Sequence, residues 1–296
     1  HVNAAPKSLK KQRQEREKEA AKAGQDVAFP GWEALRAEDR EDEPGGVITI
    51  SGPEGQVVRR LAVKSAKGLH RVAWDLRFPN PAPIRLKTEG ERDPWDYGPR
   101  GALAAPGRYE ARLAFKVDGV LKPVGTPVSF EVKPLDAHRL TAAQWQDYSA
   151  FSARMGEVQR RGEGLSGRLA EARNRLDHVR KALLETPGAD PALLADARTA
   201  GHALKELQDR LQGARTVAAR QEPTAPGLLD RIRTVVGSVW ATTQLPTQTQ
   251  RQNLAWAEQG LAEAQHSFDA TLQDLQRLEA ALEAAKAPFT PGRPTR

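Results

Sequence analysis

The stretch LSGRLAEARNRLDHVRKAL (165–183) sets Leu165, Leu169, Ala172, Leu176, Val179 and Leu183 at alternating steps of four and three. On an α-helix that spacing gathers the apolar side chains into one heptad seam, and a seam needs a neighbouring helix to cover it. Further helices follow directly. TPGADP (186–191) breaks the first helix, and Asp190-Pro191 restarts the chain with an acid as N-cap and proline at the first helical position. Leu193, Ala197, Ala200, Leu204, Leu207, Leu211, Ala214 and Ala218 then repeat the seam. After EPTAP (222–226) a shorter helix is expected from Gly227 to Gln244. Leu245-Pro246-Thr247 resets the chain, and Leu254, Ala257, Leu261, Ala264, Phe268, Leu272, Leu275, Leu278 and Leu282 mark a last long helix. Three long antiparallel helices with short connections predict an up-down bundle over 136–290, with 291–296 as a disordered tail. Gly162, Gly164 and Gly167 predict a kink in the first helix.

Upstream of Pro134 the apolar period is two rather than seven. VITIS (47–51), the turn-rich GPEG (52–55) and QVVRRLAV (56–63) read as a β-hairpin. LHRVAWDL (69–76) alternates, with His70, Val72, Trp74 and Leu76 on one face, and is expected as a strand whose Trp74 fills a core. RYEARLAFKVD (108–118), launched by Pro106-Gly107, carries Tyr109, Ala111, Leu113 and Phe115 on one face. Asp118-Gly119 turns it toward TPVSFEVK (126–133). Short alternating strands at this spacing predict a small antiparallel β-sandwich over 44–135. The Pro/Gly-rich stretch between Arg77 and Leu103 reads as a surface excursion, because unpaired backbone groups are costly to bury.

The lead-in, 1–43, divides in two. KSLKKQRQEREKEAAK (7–22) is a strong helix former with only Leu9 as a large apolar residue, so a solvated helix is expected. In the following segment Phe29, Trp32 and Leu35 form an amphipathic turn suited to docking on a neighbour, ahead of the acidic run 38–43. The net charge of +7 is unevenly spread: residues 44–135 carry fifteen Lys/Arg against nine Asp/Glu, and 136–296 carry twenty-one against nineteen. A nucleic-acid footprint needs Lys/Arg clustered on one face with interleaved aromatics, whereas the basic residues of the middle segment are spread along it, so no nucleic-acid partner is expected. No run approaches the roughly 18 apolar residues of a membrane span. The chain opens on His1 with no signal-peptide pattern, and is expected to be part of a longer or processed protein.

The 296 residues include no Cys, which excludes disulfides, thiolate metal sites and cysteine nucleophiles. No P-loop, dinucleotide-binding glycine turn, HExxH or GxSxG is present. Ser149, Ser152 and Ser166 lack an evident His and acid, and His178, His202 and His266 fall on separate predicted helices. Trp240 and Trp256 are expected to fill the bundle core or its end. Neither catalytic residues nor a metal or cofactor are expected. The one ligand surface the residues offer is DPWDYGP: Asp93 and Asp96 are close carboxylates, and Trp95 and Tyr97, flanking Asp96, have rings able to stack on a sugar. That leaves Trp95, Asp96 and Tyr97 as the candidate carbohydrate-contacting set.

Taken together, VITISGPEGQVVRRL, GLHRVAWDLRFPNP, GPRGALAAPGRYEARL, the long helical hairpin and the LPTQTQR helix resemble the C-terminal region of bacterial sortilin-like proteins with BNR or WD40/YVTN propeller repeats. Such proteins are often labelled glycosyl hydrolases. The resemblance spans 26–286, and its markers are Gly68, Trp74, Asp75, Leu76, Arg77, Pro106, Gly107 and Tyr109. It implies an Ig-like domain similar to that of the flagellar hook-capping protein, a helical tail, an upstream β-propeller as partner, and a periplasmic or extracellular address. The hydrolase label refers to the propeller, so the expectation for this chain is a non-catalytic structural or protein-interaction module. Its helices offer a surface for homo-oligomerisation. The alternative is a carbohydrate-recognition part of a glycoside hydrolase-like protein.

Overall fold

The computed structural model describes residues 2–84, 100–134 and 140–293. The chain divides into two compact units, one of residues 1–79 and 103–139, the other of residues 80–102 and 140–296. Mixed β and α architecture is therefore split by region, as the change of period predicts.

In the first unit, strands β1 (Gly45–Ser51), β2 (Val57–Val63), β3 (Gly107–Val117) and β4 (Val120–Val132) form one antiparallel sheet in the order β2-β1-β3-β4. Both expected hairpins are present, and Ile48 sits between Leu61 on β2 and Leu113 on β3. Asp118 and Gly119 both adopt positive φ, 49° and 73°, which gives the tight β3–β4 turn its twist. β4 begins at Val120, earlier than the TPVSFEVK reading, because that two-residue turn brings it straight back along β3.

The expected strand at 69–76 is corrected. Those residues pair with no strand; the flanking Gly68 and Arg77 form isolated bridges, with Val2 and Leu103, and the Leu76 carbonyl accepts from the Ala104 amide at 2.8 Å. Two features stop a ladder: Leu76 sits in the left-handed region at φ 56°, and Asp75 Oδ1 accepts from the Arg77 amide at 3.1 Å instead of leaving it to a partner strand. The segment nevertheless delivers Trp74 to the core. Its ring lies 5.5 Å from Tyr109 and 6.2 Å from Phe130, and its Nε1 donates to the Arg77 carbonyl at 3.0 Å. Ile50, Val58, Ala104 and Tyr109 are buried there, with Ile48, Leu61 and Phe78 packed against them. Among the described residues the strands make one sheet, with irregular segments in place of a second.

Ahead of the sheet stand α1 (Leu9–Lys22) and α2 (Trp32–Arg40). The helical unit contains α3 (Ala142–Glu185), α4 (Leu193–Gln212), the single turn α5 (Arg215–Ala218), α6 (Leu228–Trp240) and α7 (Gln248–Ala284). Thr141 and Thr247 start the two long helices with capping boxes closed by Gln144 and Gln250. α3 and α7 run parallel, tied by Arg251–Asp147, Arg154–Glu258 and Arg175–Glu279, each pair 104 residues apart. α4 descends against both, then α6 does the same further along. The α3 and α7 seam residues named above are buried, apart from the partly covered Leu272. The α3 seam also extends upstream through Tyr148, Phe151, Met155 and Val158.

Four expectations change in this unit. α3 runs unbroken through its glycines, and Gly162 has a packing role: a Cβ there would meet Leu229 at 3.0 Å and Ile232 at 3.1 Å. α4 stops at Gln212 rather than continuing through Ala214 and Ala218, since Gly213 turns out at φ 81°. Trp240 is buried, but Trp256 is 53% exposed, lying beneath the Arg231 guanidinium, because its position on α7 falls off the seam between Leu254 and Ala257. At the start of the expected tail Arg293 is buried and donates to the carbonyls of Ala287 and Pro288, Gly292 lies against Arg175, and Pro291 and Gly292 are exposed; residues 294–296 lie outside the described residues.

Candidate interaction surfaces

α1 and α2 have no buried residue of their own, and charge rather than apolar packing joins them. Arg13 forks onto Glu38 through Nε–Oε1 at 2.6 Å and Nη2–Oε2 at 2.9 Å, and its Nη1 donates to Glu17 at 2.8 Å. The first-turn amide of Leu9 donates to Glu41 Oε2 at 2.7 Å. Hydrogen bonding from Arg13, with the positive charges of Arg13, Lys10 and Arg16, holds the Glu38 carboxyl below the usual carboxylate range; the Glu38 hydrogen bond in turn raises Arg13.

This clip holds an apolar edge outward. Phe29 and Trp32 meet edge to face, with ring centroids 5.2 Å apart, yet are 61% and 69% exposed, and Val27 beside them is exposed as well. Leu35, the third member of the expected docking turn, is partly covered. Aromatic side chains this large are seldom left in water without a use. On the same short helix Glu33 is ion-paired with Arg36.

A second apolar surface lies on the sheet. Val120, Val124 and Val128 of β4 are exposed, as are Leu69 and Val72 of the irregular segment. β4 is an outer strand, but Pro123 and Pro127 supply no N–H, which blunts it as a template for another strand. At the β3 start, Tyr109 Oη donates to the Ala105 carbonyl at 2.6 Å, and burial raises the phenol's pKa.

The carbohydrate-contacting set, Trp95, Asp96 and Tyr97, lies outside the described residues together with Asp93. His178, His202 and His266 are exposed on α3, α4 and α7 and are not brought together; no cluster of potential metal ligands occurs among the described residues. Ser152 is buried in the bundle and Ser166 accepts a hydrogen bond from Gln212, so neither meets a histidine. No described helix is long and apolar enough to cross a membrane.

A feature the sequence did not announce is a groove of about 940 Å³ between the first turns of α1 and the end of β2. Lys7, Lys10 and Lys11 line one wall, and Lys64 and Lys67 the other. The two sets are more than fifty residues apart in the chain, so no local pattern links them. The chain matches no protein-family model, no curated protein and no solved structure.

Proposed function

We propose that this chain is a non-catalytic structural and protein-interaction module, with an Ig-like β-sandwich followed by a three-helix bundle, acting beside a β-propeller in an exported protein. The observation that carries the reading is the Phe29–Trp32 pair, in edge-to-face contact and exposed at the start of α2, the helix that the Arg13–Glu38 clip ties to α1. A pre-positioned aromatic edge loses little freedom on binding, and Trp is prominent among residues that dominate interface energies.

Several features support the architecture. Two hairpins joined through their first strands, in the order β2-β1-β3-β4, follow the C′-C-F-G order of an Ig-like sheet. Tyr109, bonded back to Ala105 at the start of β3, has the geometry of a tyrosine corner. The irregular segments around Trp74 and Leu103 then stand where the opposing sheet would lie. For the helices, α4 and α6 act as one descending limb between the parallel α3 and α7, which is up-down-up connectivity.

The test is titration calorimetry of the chain against the upstream β-propeller region that the resemblance implies, expressed separately. A Phe29→Ser/Trp32→Ser variant should weaken binding by at least about tenfold, the scale of an aromatic anchor. Unchanged affinity, or no binding by the unaltered chain, removes the reading.

A further inference from the structure

Part of the basic charge of the described residues is neutralised by ion pairs within the fold, and part is not. On the helices Arg154, Arg168, Arg175, Arg210, Arg233 and Arg251 are all ion-paired. In the groove only Lys7 is paired, with Glu15. Lys10, Lys11, Lys64 and Lys67 are exposed and make no ion pair among the described residues. Four ammonium groups without a direct ion pair thus converge on one concavity from two separate segments, with Glu43 and the engaged Glu15 as the acids among the lining residues.

Like charges gathered this way repel one another unless a counter-charge arrives, and the concave shape focuses their field. Lys presents a mobile point charge with three donors, suited to following several anionic oxygens rather than gripping one planar carboxylate. Beside the lysines the lining combines apolar residues such as Pro6, Pro44 and Val63 with polar ones such as Gln14, and no aromatic residue among them could stack a base. The volume exceeds what a single phosphate fills. We propose that this groove is a binding site for a soluble oligophosphate, a compact ligand with two or more linked phosphate groups.

The Ser65 hydroxyl, donating to the Pro44 carbonyl at 3.1 Å, and the mutual Val2–Gly68 backbone bonds at 2.8 and 2.9 Å brace the Lys64–Lys67 wall. The Ser8 cap on the Lys11 amide braces the other.

The experiment is calorimetry of the full chain with inorganic tripolyphosphate at low and physiological salt. The expected result is one saturable site, with orthophosphate at least about tenfold weaker and with affinity falling as salt rises. Lys64→Glu/Lys67→Glu and, separately, Lys10→Glu/Lys11→Glu should each weaken binding by at least about tenfold. Lys18→Glu/Lys122→Glu, the same charge change away from the groove, should change it by less than about twofold. Circular dichroism confirms folding of each variant, and having one variant for each wall keeps the outcome decisive if the other is unstable. Absence of saturable binding overturns the assignment. So does equal loss in the Lys18/Lys122 variant, which would signal bulk charge alone, and so does binding to phosphatidylglycerol vesicles without binding to tripolyphosphate.

Discussion

The helical unit gathers its seam residues into one large core, and the sheet unit has only a small one. Thirty residues from α3, α4, α6, α7 and the tail are buried in one continuous core, whereas the sheet's main cluster holds four. The difference follows from shape: a helix hides its stripe behind two neighbours, but a single sheet has two broad faces and few residues with which to roof them. The bundle is therefore a scaffold complete in itself. The sheet unit carries the exposed valines, the outward aromatic pair and the unpaired lysines, which are the surfaces a partner or ligand would use.

The sharpest way to break this contrast is inside the bundle. Phe268, fully buried on α7, should cost about 3–5 kcal/mol when changed to alanine, read as a lower denaturation midpoint by helical circular dichroism. The sheet unit, followed by amide exchange of β1–β4, should barely respond if the two units unfold separately; a coupled loss would end the claim that each is self-contained.

Next in size is Gly227→Ala, about 1–3 kcal/mol by the same assay. A Cβ there would lie 2.5 Å from the Gly213 amide nitrogen and 2.6 Å from the Leu211 carbonyl oxygen, backbone atoms that cannot swing aside. The Gly213–Gly227 approach closes the neck of the 214–226 excursion and lets α6 resume where α4 ends. A neutral result would mean the two helices need no such alignment.

On the sheet side, Tyr109→Phe removes the donor to the Ala105 carbonyl. It should cost about 1–2 kcal/mol in the sheet transition alone. Trp256→Ala should stay within about 0.5 kcal/mol despite the size of the residue, because its ring is already half in water.

The smallest effect is one of pH. The Glu38 carboxyl is depressed by Arg13, so its contribution to holding α2 on α1 is full above the ordinary carboxylate value of 4.5 and is lost as pH falls through the lower folded value. Amide exchange in α2 should accelerate under acid while the bundle amides stay protected. Arg13→Ala should show fast exchange at neutral pH and no further acid step.

What could be read in advance tracks how local each signal is. The seams of α3 and α7 were legible because period alone decides which side of a helix is buried, and Gly46–Val63 was legible because hairpin turns pair neighbours. Residues 69–76 misled because alternation reports which side chains share a face, and says nothing about where backbone hydrogen bonds go. Trp256 misled because a large apolar residue is not buried unless it falls on the seam. Of the candidate sites, the Phe29–Trp32 edge was visible as an amphipathic turn, while Trp95, Asp96 and Tyr97 fall outside the described residues. The lysine groove was invisible, since its two walls share no sequence neighbourhood.

The sequence by itself determined the division into a period-two and a period-seven region, the breaks between the long helices, and the β or α character of each unit, because these depend on contacts within a few residues; the caps came from the structure, with Ala192 rather than Asp190 as the N-cap of α4. Only the tertiary structure decided that α4 and α6 share one limb, that Gly162 and Gly227 are points of close approach, that Arg293 is buried, and that Lys10 and Lys11 face Lys64 and Lys67. Each of those is a meeting of distant segments, set by how packed elements close on one another rather than by any local preference of the chain.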